Sequence, residues 1–286
     1  MQASAAERAE RFRRLHTEER LFVLPNAWDV PSARTFEEAG FPAVATSSAG
    51  VMVSLGYPDG ESIPRAEYVA AVARIAERLA VPLTADIVAG FGPSVDDVVA
   101  TVRAVVAAGA IGINLEDQDP GSDGLLPLDA QVAKIRAVRL LGEELGVPLV
   151  INARTDALSR REGSPESRFA EAVRRARAFR SAGADCVYPM RLTAREEIAA
   201  FLEATPGPTN VMIRPGLPEL GELERLGVRR VSFGPAASYA ALGLLRRASA
   251  EILEGRSFRS LIDGALTFDE LNRLAEPRGP AHGPAA

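Results

Sequence analysis

The sequence predicts an α/β fold, a (β/α)8 TIM barrel with extra N-terminal and C-terminal helices. Three observations carry this expectation. Short apolar runs of strand length alternate with longer helical patterns, and strict alternation implies a parallel sheet. The phrases AGFPAV, LAVPLT, AGAIGI, LGVPLV, AGADCV and LGVRRV recur, each the end of a helix leading into a strand. Eight such units in 286 residues suit a closed barrel, for which about 250 residues is usual. An open doubly wound sheet is the alternative. No G-x-G-x-x-G follows the first strand, which weakens its dinucleotide-binding form.

The elements follow in order. Ala3–Thr17 reads as a charged amphipathic helix with Phe12 and Leu15 on its packing face. Leu21–Pro25 is the first strand, ending in Asn26-Ala27-Trp28-Asp29, and a helix runs from Pro31 to Ala39. Ala43–Thr46 is a strand that opens into Ser47-Ser48-Ala49-Gly50 and a long loop through Glu61. Pro64–Leu79 is a helix, and Val81–Ala85 a buried strand with Asp86 at its end. Helix Val95–Ala108, strand Ile111–Leu115 and the pair Glu116-Asp117 come next. The polar, glycine-bearing segment Gln118–Pro127 is a candidate lid. Helix Leu128–Leu145 precedes strand Pro148–Asn152 and Ala153-Arg154-Thr155-Asp156. Helices Glu166–Ala182, Ala194–Glu203, Pro218–Leu226 and Ala236–Leu253 alternate with strands Asp185–Tyr188, Asn210–Ile213 and Arg230–Phe233. Phe258–Asp263 and Phe268–Leu274 are short C-terminal helices. Residues 1–275 are expected to form one domain, and 276–286, rich in Pro and Gly, a disordered tail.

Composition narrows the function. The chain is 47% hydrophobic and 25% charged, with a net charge of −5. Without a basic patch, nucleic acid is not an expected partner. No apolar run approaches the ~20 residues of a membrane span. The N-terminus lacks the apolar core of a signal peptide, so a cytoplasmic protein is expected. The single cysteine, Cys186, rules out an intrachain disulfide and a cysteine-based zinc site. It lies mid-strand between apolar neighbours, as a buried inert thiol does. Lys134 is the only lysine, and His16 and His282 are the only histidines. Schiff-base and Ser–His–Asp chemistry are therefore disfavoured. Carboxylate, arginine, hydroxyl and backbone groups remain, with a hard metal ion.

Acids at the carboxyl ends of parallel strands occupy the place where barrels carry their chemistry. Asp86 and Glu116 end adjacent strands, and Asp59 comes from the loop after the second. Two like charges about 4 Å apart repel by roughly 4 kcal/mol at an effective dielectric of 20, so such a cluster needs a cation, an arginine or a shared proton. Oxygen-only ligands favour Mg²⁺ or Mn²⁺ over zinc. The plainer reading makes these acids helix caps, and for Asp117 and Asp156 it weighs as much as the functional one. Arg154 is a fork suited to a carboxylate or phosphate, or else the partner of a neighbouring acid. The backbone amides of Ser48, Ala49 and Gly50 suit an oxyanion, or else form a tight turn.

Together, PNAWD (Pro25–Asp29), TSSAG and SLGYPDGE (Thr46–Glu61), TADIVAGFG (Thr84–Gly92), GINLED (Gly112–Asp117), NARTDA (Asn152–Ala157) and GADCVYP (Gly183–Pro189) resemble the isocitrate lyase/phosphoenolpyruvate mutase superfamily. The resemblance implies a barrel whose C-terminal helices are exchanged between subunits, in a homo-oligomer (dimer or tetramer). It implies Mg²⁺ (or Mn²⁺) and a small 2-oxo or 2-hydroxy acid. By position it makes Asp86 the direct metal ligand, Glu116 an acid holding the metal through water, and Asp59 a metal-shell or catalytic acid. It places Ser48, Ala49 and Gly50 on the substrate, Arg154 on its carboxylate, and Asn210 facing the ligand. Trp28, within the PNAWD match, and Arg214, after the seventh strand, join the substrate-binding candidates.

The departures shape the expected reaction. Isocitrate and methylisocitrate lyases carry Lys-Lys-Cys-Gly-His on the mobile loop, and QDPGSDGLLP here has no cysteine, lysine or histidine. Isocitrate and methylisocitrate cleavage are rejected on that ground, and the absent mutase lysine argues against phosphoryl migration. Valine stands at position 88, where relatives carry Asp or Glu. The expected function is a Mg-dependent C–C lyase or decarboxylase acting on an oxaloacetate-like acid. The alternatives are a C–P bond enzyme acting on a phosphonopyruvate-like acid and a non-catalytic small-acid-binding barrel.

Overall fold

The computed structural model describes residues 4–18, 20–255 and 257–276. From residue 277 on, the expected tail lies outside the described residues. The first stave of the barrel is broken in two, β1 (Phe22–Leu24) and β2 (Asn26–Ala27). Pro25 between them has no N–H to give the ladder, but its carbonyl still accepts from Ala45 N at 2.9 Å. The expectation that the strand ends at Pro25 is thus corrected: the chain stays extended through Ala27.

The other staves are β3 (Val44–Thr46), β4 (Leu83–Asp86), β5 (Gly112–Glu116), β6 (Val150–Thr155), β7 (Cys186–Pro189), β8 (Asn210–Met212) and β9 (Arg230–Ser232). All pair in parallel, in the orders β2-β3-β4-β5-β6-β7 and β1-β9-β8. Val187 N donates to Pro208 O at 3.1 Å and so joins β7 to β8. With β1 and β2 counted as one stave, the circle closes and the open-sheet alternative falls. β6 runs on to Thr155, three residues past its expected end, so Arg154 is part of the wall.

Around the wall run α2 (Val30–Glu38), α4 (Arg65–Ala76), α5 (Val95–Ala107), α6 (Leu128–Glu144), α7 (Pro165–Ser181), α8 (Arg195–Ala204), α9 (Leu220–Leu226) and α10 (Ala236–Leu253). The N-terminal helix α1 (Ala5–Thr17) begins at a Ser4–Glu7 capping box and covers the barrel floor. Its Phe12 and His16 rings pack edge-on against Phe22, with centroids 6.3 and 4.9 Å away. Two expectations need correction. Ser48–Ser54 is a short helix, α3, rather than loop, because Ser47 caps it by accepting from Gly50 N at 3.2 Å. The expected helix at Phe258–Asp263 is a single 3-10 turn, Arg259–Leu261. The last helix is α11 (Phe268–Ala275), with Leu274 buried.

Parallel register decides which side chains share the interior. The pairs Asp86–Asn114, Asn114–Asn152, Glu116–Arg154, Arg154–Tyr188 and Asn210–Arg230 lie at matched positions on neighbouring strands, so each pair shares one face.

Candidate active site

Two connected cavities open at the carboxyl end of the barrel, an outer one of about 500 Å³ and an inner one of about 220 Å³. Ser48, Asp59 and Arg154 line both. Glu116 and Val88 line the outer one, as do Gln118 to Asp123 of the expected lid. That segment folds back on itself, with Asp119 N donating to Gly124 O at 3.0 Å. Asp86, Ala49 and Asn210 line the inner cavity.

Arg154 organises the mouth. Its Nε and Nη2 donate to the two oxygens of Asp156 at 2.7 and 2.9 Å. Its Nη1 lies 2.6 Å from Glu116 Oε2. Burial opposes its charge, and Glu116 and Asp156 more than offset that, so the guanidinium is held well above its ordinary pKa. Three of its five N–H groups are thereby engaged and two stay available for a ligand. Glu116 is pushed up to about 8, first by burial and then by the acids around it, against the pull of Arg154.

Asp86 is held from two sides. Asn114 Nδ2 donates to Oδ1 at 2.9 Å and Ser48 N donates to Oδ2 at 3.2 Å. Asn152 Nδ2 in turn donates to Asn114 Oδ1 at 2.8 Å, which fixes the amide. The Tyr68 hydroxyl donates to the Asp86 backbone carbonyl and meets the Thr46 hydroxyl at 3.1 Å. Asp59 tops the cavity. The walls around its carboxyl raise its pKa, and the charge of Asp86 raises it further. Two carboxylates facing one opening leave a net negative site.

The turn after β4 is strained. Val88 has φ 53° and Phe91 φ 59°. Left-handed backbone is rare for a β-branched residue and marks functional sites when neighbours enforce it. Here Glu116 N donates to Val88 O at 2.9 Å. Lys134, buried, donates to Ala89 O at 3.0 Å and Gly92 O at 3.4 Å. Glu61 accepts from Phe91 N at 2.7 Å. The lone lysine is a clamp on this turn, in keeping with its exclusion from Schiff-base chemistry.

The structure brings Ser48, Ala49, Asp59, Asp86, Glu116, Arg154 and Asn210 together and leaves three candidates out. Gly50 lines neither cavity. Its amide is spent on Ser47, and a Cβ there would stand 2.8 Å from Trp28 Cβ. Gly50 therefore lets α3 settle on Trp28, and Trp28 is a packing residue under the helix. Arg214 also lies outside both linings. Strand pairing ends at Met212, so the alternation that turns Asn210 and Met212 inward no longer governs it. Ser48 N is engaged by Asp86 and Gly50 N by Ser47. Of the three expected amides, that of Ala49 is the one left for a ligand.

Sequence reasoning missed the support behind Arg154. Asp117, fully buried, accepts from Asp156 N at 2.8 Å and from Arg175 Nη1 at 3.0 Å. Arg175 also reaches Glu171 at 2.6 Å. Asp117 is therefore a structural anchor and Asp156 the partner of Arg154, and neither side chain caps a helix as the plainer reading expected. Nothing local in the sequence announces Arg175, which arrives from a helix 58 residues away. Cys186 is buried, and burial pushes its thiol up to about 11.

The sequence pattern of the phosphoenolpyruvate phosphomutase family matches residues 12–253. The chain belongs to the isocitrate lyase/phosphoenolpyruvate mutase superfamily. It is 31% identical to 2,3-dimethylmalate lyase from Eubacterium barkeri over 278 residues, 93% of each chain. It is 30% identical to phosphonopyruvate hydrolase from Variovorax sp. strain Pal2, covering 86% of this chain and 87% of that one. The structure of oxaloacetate acetylhydrolase with 3,3-difluorooxalacetate superposes with a TM-score of 0.81 at 26% identity, over 94% and 93% of the two chains. Members of the superfamily that this chain resembles are thus lyases and hydrolases named for small acids. No helix among the described residues is long and apolar enough to cross a membrane.

Proposed function

We propose that the protein is a metal-dependent lyase or decarboxylase that breaks a C–C bond in a small 2-oxo or 2-hydroxy acid of the oxaloacetate type. One observation carries the reading: Arg154, braced by Glu116 and Asp156, faces the same cavity as Asp86 and Asp59. An arginine with two free N–H groups suits the carboxylate of the acid. The Ala49 amide, near the start of α3, adds a donor.

The acids fit a hard cation. Among the described residues no three His, Cys, Asp or Glu side chains close into a cage. Asp86 and Asp59 would hold it, with Glu116 reaching it through water, since Mg²⁺ (or Mn²⁺) characteristically keeps several waters beside one or two carboxylates. When bound, such an ion supplies positive charge to the 2-oxo group as negative charge builds there. Ser48 and Asn114 hold Asp86 in place, and Arg154 orients the carboxylate. In decarboxylation the C–C electron pair passes into the enolate as CO₂ leaves, and no strong base is required. That suits a lid without cysteine, lysine or histidine. The enolate carbon then takes a proton from solvent water, which completes the reaction.

Oxaloacetate turnover in Asp86→Ala and Glu116→Ala tests the assignment. Both are expected to lose activity by about 10²-fold or more, and full activity in both would remove the reading. C–P cleavage of a phosphonopyruvate-like acid is the second reading, favoured by the similarity to phosphonopyruvate hydrolase. Phosphorus NMR distinguishes the two. A binding-only barrel predicts a ligand-induced rise in Tm with no product. We also propose a homo-oligomer in the cytoplasm. Leu253, Phe258, Ile262 and Phe268 of the C-terminal segment are 87, 66, 60 and 78% exposed, and large apolar side chains left so open on one terminal segment suit an interface with a second copy.

A further inference from the structure

The interior of a barrel of this kind is normally filled by bulky branched side chains. Here the inward register carries Asn114, Asn152, Asn210 and Arg230, and all four line the inner cavity. Arg230 is only 2% exposed, and among the described residues its Nε and Nη1 have no hydrogen-bond partner. Among the described residues no carboxylate forms an ion pair with it, and burial depresses its pKa. Below it lies the neutral His16 of the floor helix. Asn210 spends its amide on Ser232 Oγ at 3.0 Å, while Asn210 Oδ1 and Asn152 Oδ1 are also unpartnered. A permanently charged fork buried without an acid is costly unless a ligand completes it.

We propose that Arg230 is a specificity-determining residue, the receptor for a second carboxylate at the far end of the substrate. The site then takes a diacid, with one carboxylate at Arg154 in the mouth and the other at Arg230 on the cavity floor. This inference rests on the small-acid reading of the cavity. It goes beyond that reading in naming the residue that receives the inner carboxylate of such an acid. Asn152 and Asn210 Oδ1 are acceptors, so they suit hydroxyl or water neighbours of the diacid rather than its carboxylates.

Calorimetric titration of the full chain with malate and with 2-hydroxybutyrate tests the inference. The two are C4 2-hydroxy acids differing only in the distal carboxylate. The wild type is expected to prefer malate by about ten- to a hundredfold, the range for a charge-assisted hydrogen-bonded pair. Arg230→Leu and the volume-matched Arg230→Met are expected to abolish the preference and leave 2-hydroxybutyrate binding within about twofold. Arg230→Lys is expected to restore part of it. Without ligand, Arg230→Met is expected to raise Tm by about 2–4 °C, because an unpaired buried charge has been removed. A purely structural arginine predicts the reverse, a fall in Tm with equal loss for both acids, and that result overturns the inference. Equal wild-type affinities also overturn it, leaving the small-acid reading intact. Binding of neither acid overturns both.

Discussion

The relay behind Arg154 predicts a measurable coupling. Asp117 and Arg175 are 0 and 5% exposed and meet at 3.0 Å. At an effective dielectric of 20 that separation corresponds to about 5.5 kcal/mol of attraction, an upper figure. Asp117→Asn removes the charge, keeps the shape and leaves an oxygen for Asp156 N. Arg175 retains Glu171 at 2.6 Å and the Leu126 carbonyl at 3.0 Å, which returns part of the loss. The expected cost is therefore about 3 kcal/mol, the low end for breaking a buried pair. Arg175→Met added to Asp117→Asn leaves no buried charge unpaired, so the double variant should lie above the single one. Urea unfolding of wild type, both single variants and the double variant measures this. The expected coupling is about 2 kcal/mol. Additive effects, or a cost below about 1 kcal/mol for Asp117→Asn, would refute the relay.

Three further outcomes follow from the same geometry. Burial first, then Arg230 and Arg13, hold His16 down to about 3, so it stays neutral when folded while the unfolded chain protonates near 6.5. The His16 contribution, fully present above pH 6.5, should therefore be lost on acidification, by about 2 kcal/mol at pH 5. The stability of His16→Phe relative to wild type should shift by about that amount in the variant's favour between urea melts at pH 7.5 and 5.0, and an unchanged difference would contradict it. Gly50→Ala adds a methyl 2.8 Å from Trp28 Cβ and should cost about 1–3 kcal/mol despite better helix propensity, read as a drop in Tm. Val88→Asp places an acid on a φ of 53° that aspartate tolerates better than valine. It should increase the Mg²⁺-induced rise in Tm, with apparent affinity up about tenfold; an unchanged Mg²⁺ response would count against the metal site.

Much of this was legible in the sequence because burial leaves a local mark. Apolar runs ending in an acid, as in LTAD and INLE, located β4 and β5 and placed Asp86 and Glu116 at the mouth. Regular recurrence pointed to the barrel. α3 was less visible, because Ser-Ala-Gly lacks the apolar period of a packed helix. The cue lay in Ser47, a good N-cap. Trp28 and Arg214 lie outside the cavities for opposite reasons. One sits behind α3, whose sequence carries no helical period, the other beyond a strand shorter than its apolar run. The Arg175–Asp117 pair is a long-range fact with no local trace. Arg230 did have one, since a charge beside valine in a central strand is an anomaly that asks for a ligand.

The central claim is most directly tested by a proton NMR time course of oxaloacetate with the purified protein. It is run with Mg²⁺ and then with EDTA, with spontaneous decay subtracted and Asp86→Ala run alongside. The account predicts pyruvate formation that requires both the metal and Asp86. A rate no faster than spontaneous decay, or one equal in Asp86→Ala, would contradict it.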